Sequence, residues 1–256
     1  IIAVDYAGQS CDYTALKSIC KEHNLKLVGD CCHSIGAKDE HGNAAGSLAD
    51  ISVLSFHPVK HITTGEGGMA LTDDPELAKR MRSFRNHGVN NDASTRLEKC
   101  TWVYEMRELG YNYRITDIQC ALGLSQLKKL DTFLEIRRSL AAKYGSIFQG
   151  HMDVTPLKLK NGVKHAYHLY VVKISADKRE SVFEFMRGKE IGVNVHYIPV
   201  HYHPYYKDNF NTGTDLCPAA EKAYEEILTL PLHPGMCEED VDYIVKQLDA
   251  ALKACS

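Results

Sequence analysis

The chain has one tryptophan in 256 residues, and no apolar run approaches the roughly 20 residues of a membrane span. It has no excess of either charge: 30 basic and 33 acidic residues leave a net charge of -3. With no polyelectrolyte footprint, nucleic acid is not an expected partner. The opening residues, IIAVDYAGQS, lack a basic segment and a cleavage pattern, so they do not form a signal peptide. Nine cysteines are present, at 11, 20, 31, 32, 100, 120, 217, 237 and 255, but none forms a C-x-x-C pair and the count is odd. That argues against a zinc ribbon and a disulfide framework. Cys31, Cys32 and His33 are adjacent, and neighbours on a strand point to opposite faces, so no metal site is expected there. Mostly buried free thiols in a reducing, cytoplasmic compartment are the expectation. Internal repeats and low-complexity segments are also lacking.

What is there alternates strand and helix. Ile1 to Val4 is a short apolar run ending at Asp5, and Ser10 to Glu22 has helical spacing with Tyr13, Leu16 and Ile19 on one face. Leu25 to Val28 reads as a second strand ending at Gly29-Asp30, Ile51 to Leu54 as a third ending at Ser55, and Met69 to Thr72 as a fourth. Pro75 to Phe84 reads as a helix with proline at an early position. Short apolar strands alternating with helices predict an α/β fold with a mostly parallel sheet, where ligands gather at the carboxyl ends of strands. Asp5, Asp30 and Ser55 occupy such ends.

Thr116-Asp-Ile-Gln119 fits a capping box. An apolar stripe of Ile118, Leu122, Leu127, Leu130 and Leu134 follows, predicting one long connecting helix over about 115–148. Beyond Gly150 the pattern predicts a strand from Ala166 to Ile174, a helix from Arg179 to Gly188 and a strand from Gly192 to Tyr197. Helices from Pro218 to Leu228 and from Glu238 to Cys255 complete it. The expected domains are 1–135 and a smaller α+β domain over 136–256.

The stretch S-F-H-P-V-K-H-I-T-T-G-E-G-G, residues 55–68, sets Lys60 between a strand end and a glycine turn. An ordinary lysine there is a solvated charge. Burial, however, lowers an amine's pKa and makes it a nucleophile of the Schiff-base kind. A pyridoxal phosphate site needs a carboxylate for the ring nitrogen and hydroxyls and amides for the phosphate, which Asp30 and Ser55 can supply. Asp30 can equally be a turn residue, and Ser55 a cap.

V-G-D-C-C-H at 28–33, S-F-H-P-V-K at 55–60, T-G-E-G-G at 64–68 and G-Y-N-Y-R-I-T-D-I-Q-C-A-L-G-L-S-Q-L at 110–127 together resemble the DegT/StrS-type aminotransferases. The resemblance implies an aspartate-aminotransferase-like fold (pyridoxal-phosphate fold type I) and amination of nucleotide-linked keto-sugars. It implies Lys60 as the Schiff-base lysine and proton shuttle, Asp30 on the pyridine nitrogen, His33 beside the ring and Ser55 on the phosphate. Asn112 then reaches the phosphate of the neighbouring subunit in a homodimer with shared sites, and Arg114 assists with an anionic ligand. H-A-Y-H-L-Y at 165–170 and V-H-Y-I-P-V-H-Y-H-P-Y-Y at 195–206 resemble the members that act on the pathway to pseudaminic acid. His196, Tyr197, His201 and Tyr205 are therefore expected at the sugar pocket. The implied substrates are a UDP-linked 4-keto-6-deoxy amino sugar and glutamate, with 2-oxoglutarate as the co-product. The histidines and tyrosines of 195–206 can also be simple packing around Pro199 and Pro204.

The family carries a long segment before the position matching Ile1, including the glycine-threonine loop at the cofactor phosphate. The large domain is accordingly expected to be truncated at its N-terminus, and these residues alone to be inactive or nearly so. Two other readings stand beside transamination. A non-catalytic homologue in regulation or assembly is one. The other is a sugar dehydratase, in which a histidine replaces the lysine, so Lys60 disfavours it.

Overall fold

The computed structural model describes residues 1–89 and 93–254, and they form two compact units. One comprises Ile1–Tyr6, Ser10–Asp131 and Gly162–Lys164; the other comprises Ala7–Gln9, Thr132–Asn161 and the chain from His165 onward.

The first unit is built on a four-stranded sheet, β1 (Ile2–Val4), β2 (Val28–Asp30), β3 (Ile51–Ser55) and β4 (Gly68–Leu71), in that spatial order. The first three strands are parallel and β4 is antiparallel to β3, as the alternating strands and helices lead one to expect. Helix α1 (Tyr13–Glu22) joins β1 to β2; the Asp12 side chain accepts from the Ala15 amide and caps its first turn. Tyr13, Cys20, Leu27, Cys31 and Ala3 form the core beneath α1. The other face is open: Ile2 is 72% and Val4 53% exposed, although both are apolar. Strand β2 begins three residues later than expected, because the Leu27 amide is taken by the Asp50 carboxylate at 2.8 Å instead of by a strand partner.

Helix α2 (Pro75–Phe84) is as expected, with Asp74 capping the amides of Glu76 and Leu77. A short α3 (Ala93–Glu98) follows. The long connecting helix is instead two helices, α4 (Asp117–Leu127) and α5 (Leu130–Ile147). The Lys129 amide reaches Gln126 O, three residues back, which tightens the last turn of α4 and ends it.

In the second unit β5 (Thr155–Pro156), β6 (Tyr170–Lys173) and β7 (Ile227–Leu230) form an antiparallel sheet. Helices α5, α6 (Ala176–Gly188) and α9 (Glu238–Ala254) enclose a core that includes Tyr144, Val172, Val182, Leu228 and Leu248. Cys255, where the last helix was expected to end, lies outside the described residues. Strand β6 starts at Tyr170 and not at Ala166. Ala166 N and Leu169 N instead donate to Gly8 O and Ala7 O, and Tyr167 takes a left-handed φ of 49°. Gly192 to Tyr197 forms no strand, only a bridge from Asn194 to Thr229. The helix from Pro218 ends at Glu226 (α8), and the buried I-L-T-L that follows is β7. The period-3.6 pattern carried across that junction because these four residues are buried on both faces, where helix and strand look alike. Helix α7 (Pro204–Phe210) was not foreseen; it starts on Pro204 and ends at Asn211 in the left-handed conformation.

Candidate active site

Strand register gathers the site. Val4, Asp30 and Val53 are partners across β1, β2 and β3, so their side chains share a face. Ser55 lies two residues beyond Val53 and returns to that same face. Asp30 and Ser55 therefore stand together at the carboxyl end of the parallel strands, on the open side of the sheet. One residue later in each strand the direction reverses. Asp5 and Cys31 point toward α1, where Asp5 is fully buried and accepts from Cys11 N (2.8 Å), Tyr13 Oη (3.0 Å) and Ser34 Oγ (2.6 Å). Tyr13 Oη also meets Cys31 Sγ at 3.5 Å. Burial pushes the Tyr13 hydroxyl well above its ordinary range, so it stays a donor. Asp5 thus belongs to a buried network that pins the 31–34 turn, and not to the open face.

Lys60 follows β3 on a closed loop. Phe56 N donates to Gly67 O (2.9 Å), Thr64 N to Phe56 O (3.0 Å) and Thr63 Oγ1 to Phe56 O (3.0 Å). Lys60 is half-buried. Desolvation lowers its pKa below that of an ordinary lysine, opposed by the Asp30 carboxylate. Asp30 Oδ1 accepts from Cys32 N at 3.2 Å. Burial, and then the Asp30 carboxylate, push the Cys32 thiol up to about 12, so it stays protonated beside both groups. Cys32 is a member of the site that the sequence reading weighed only as a metal ligand; its place two residues after Asp30 was the available signal.

His33 is buried, with its ring centroid 6.5 Å from that of Tyr6. Asn112 and Arg114 lie in the first unit on an exposed segment held along residues 84–87: Tyr111 N donates to Phe84 O (2.7 Å) and Tyr113 N to Arg85 O (2.9 Å). Arg114 donates to Asn86 Oδ1 at 2.6 Å, and the Tyr111 and Tyr113 rings stack at 4.7 Å.

The remaining expected residues lie in the second unit. His196 Nδ1 and Thr229 Oγ1 are 2.9 Å apart, and Tyr197 is 55% exposed. Tyr205 is exposed on α7. His201 is buried, its Nε2 lying 2.9 Å from Glu221 Oε1. Glu221 also accepts from the amides of Asp215 and Cys217, each at 2.9 Å. Those two amides, with the His201 ring, hold its carboxyl down at about 2. His201 thus ties α8 to the segment before it.

The thiols differ from expectation. Of the eight described cysteines only Cys20 and Cys31 are buried, while Cys100, Cys120, Cys217 and Cys237 are exposed. No group of three metal-ligating side chains occurs among the described residues, and no helix there is long and apolar enough to cross a membrane.

The model of the DegT/DnrJ/EryC1/StrS aminotransferase family matches residues 1–249. The chain belongs to that family. Among its DegT-family relatives, a UDP-4-amino-4,6-dideoxy-N-acetyl-beta-L-altrosamine transaminase of Campylobacter jejuni is 35% identical over 256 residues. That match covers 99% of this chain and 65% of the relative, so the chain spans just under two thirds of that protein's length. The solved structure of Helicobacter pylori PseC, an aminotransferase involved in the biosynthesis of pseudoaminic acid, is 33% identical with a TM-score of 0.91. It covers 99% of this chain and 67% of that one. The PLP-form of Spr1654, a putative sugar aminotransferase from Streptococcus pneumoniae, is 28% identical with a TM-score of 0.88 and covers 100% of this chain and 69% of that one. The fold is accordingly the fold type I α/β architecture of DegT-family aminotransferases, as the motifs led one to expect.

Proposed function

We propose that this chain carries the lysine half of a pyridoxal-phosphate site in a nucleotide-sugar aminotransferase. The observation that carries the reading is the grouping at one sheet end of Asp30, Ser55 and a half-buried Lys60 whose pKa is lowered by desolvation. The donor set fits the cofactor: an amine for the aldehyde, a carboxylate for the ring nitrogen and a hydroxyl for the phosphate. When bound, pyridoxal phosphate supplies an electron-withdrawing ring that acidifies the substrate C–H bond.

The chain's own groups then divide the work. Lys60 would hold the aldehyde through its amine and would take and return the proton at the reacting carbon of the substrate. Asp30 keeps a proton on the ring nitrogen, and the Cys32 amide fixes the carboxylate that does so. Ser55 Oγ donates to the phosphate, His33 borders the ring, and Asn112 and Arg114 bind anionic groups. His196, Tyr197, His201 and Tyr205 border the sugar pocket, with His201 acting through its tie to Glu221. The names of the Campylobacter and Helicobacter relatives support a UDP-linked 4-keto-6-deoxy amino sugar as substrate, with glutamate as donor. A homodimer is supported by α4, on which no residue is buried and Ile118 is 84% exposed. A dehydratase is disfavoured by Lys60.

The test is spectroscopic. With pyridoxal phosphate the chain should gain a near-visible band that borohydride bleaches. Lys60→Ala should lack it. A band of equal size in Lys60→Ala would refute the reading.

A further inference from the structure

A side chain from outside the lysine loop bonds to its backbone. Gln119, in the first turn of α4, completes the capping box: its Oε1 accepts from Thr116 N and Thr116 Oγ1, both at 3.0 Å. Its Nε2 donates to Glu66 O at 2.9 Å, across 53 residues of sequence. The amide can face only one way, because Thr116 N must donate and Glu66 O must accept. Glu66 O receives a second donor, Thr64 Oγ1 at 2.8 Å, and Gly65 N donates to Thr63 Oγ1 at 2.9 Å. The same two segments meet closely elsewhere. A Cβ on Gly123 of α4 would stand 2.9 Å from Thr64 Cγ2, and one on Gly67 would stand 2.3 Å from Thr64 Oγ1 and 3.0 Å from Ile115 Cδ1.

The geometry points to Gln119 as a positioning residue for Lys60: its amide latches the 63–67 turn to α4 and so fixes where the lysine loop stands. This rests on the reading of Lys60 as the cofactor lysine. The residue does two separable things, since Oε1 serves the helix and Nε2 serves the loop. Glu at 119 keeps both acceptor bonds to Thr116 and places negative charge where a helix N-terminus favours it. It removes the donor and sets a carboxylate oxygen against Glu66 O. Thr116→Ala weakens the cap and leaves the Nε2 donor in place.

Amide hydrogen exchange on the full chain without cofactor reads the latch directly. In Gln119→Glu, exchange at Thr64 and Gly65 should rise at least about tenfold, while α4 amides and the melting temperature stay at wild-type values; tenfold is the effect of losing about one hydrogen bond. Capture of added pyridoxal phosphate by Lys60, followed by its absorption band, should slow several-fold. Thr116→Ala should do the converse, lowering the melting temperature by about 2–4 °C and raising exchange in α4, with the loop and the capture rate unchanged. Wild-type exchange at Thr64 and Gly65 in Gln119→Glu overturns the proposal. So does equal loosening of loop and helix, which would make Gln119 a helix residue only. A wild-type chain that captures no pyridoxal phosphate overturns the reading of Lys60; the exchange comparison decides the latch in either case.

Discussion

Desolvation and one charged neighbour act on Lys60 in opposite directions. Burial favours the neutral amine, whereas the Asp30 carboxylate favours the ammonium. Removing the Asp30 carboxylate therefore lowers the lysine pKa further. In Asp30→Asn the rate of pyridoxal phosphate capture, measured against pH, should keep its sigmoid form with a midpoint at lower pH than wild type. A midpoint that stays put or rises would show that Asp30 does not act on Lys60. Asp5 presents the opposite case, a strand-end carboxyl with no part in the open site. Asp5→Ala takes the carboxylate from three donors, leaving Tyr13 Oη only Cys31 Sγ and Ser34 Oγ only the Cys31 carbonyl at 3.4 Å. A loss of about 2–3 kcal/mol in denaturant unfolding is expected. At this scale Lys60, Asp30 and Ser55 were legible because strand ends and short motifs name them. Asp5 was not separable from Asp30 by sequence alone, since the two differ only in which face of the sheet their position in the pleat selects.

At the scale of elements, local signals served well where they are chemical. The Thr116–Gln119 capping box, Pro75 in the first turn of α2 and the parallel pairing of β1, β2 and β3 all appear in the structure. Signals that are only periodic served less well. The 115–148 pattern runs through Lys128-Lys129, where the helix ends and restarts, and I-L-T-L at 227–230 follows a helix without any punctuating glycine or proline. The junction between α7 and α8 depends on contacts no pattern displays, above all Glu221 gathering two amides and His201. The Glu221 carboxyl is held near 2, below its ordinary 4.5, so its contribution to stability is present above pH 4.5 and lost as pH falls toward 2. Glu221→Gln should flatten the pH dependence of thermal unfolding in that window. An unchanged acid limb would show that the bonds to Glu221 contribute nothing.

For the molecule as a whole, the open side of the first unit is the dominant feature. Ile118 and Leu124 on α4 are 84% and 64% exposed, and every residue of β4 is exposed. Apolar surface of this kind on a helix without buried positions suits an interface. Ile118→Lys should weaken self-association by at least about tenfold in sedimentation equilibrium, or about 1.4 kcal/mol. A monomeric wild type would contradict the proposed dimer. This exposure could not be read from the sequence, where Ile2, Val4 and the α4 stripe look like core residues. Burial of an apolar position depends on what packs against it. The central claim, that Lys60 is the cofactor lysine, is tested most directly by reducing the chain with borohydride in the presence of pyridoxal phosphate and locating the adduct by peptide mass spectrometry. The expected result is one modified lysine, Lys60, at stoichiometries where exposed lysines such as Lys17 and Lys26 remain free. Modification spread over the exposed lysines, with Lys60 no more labelled than they are, would contradict it.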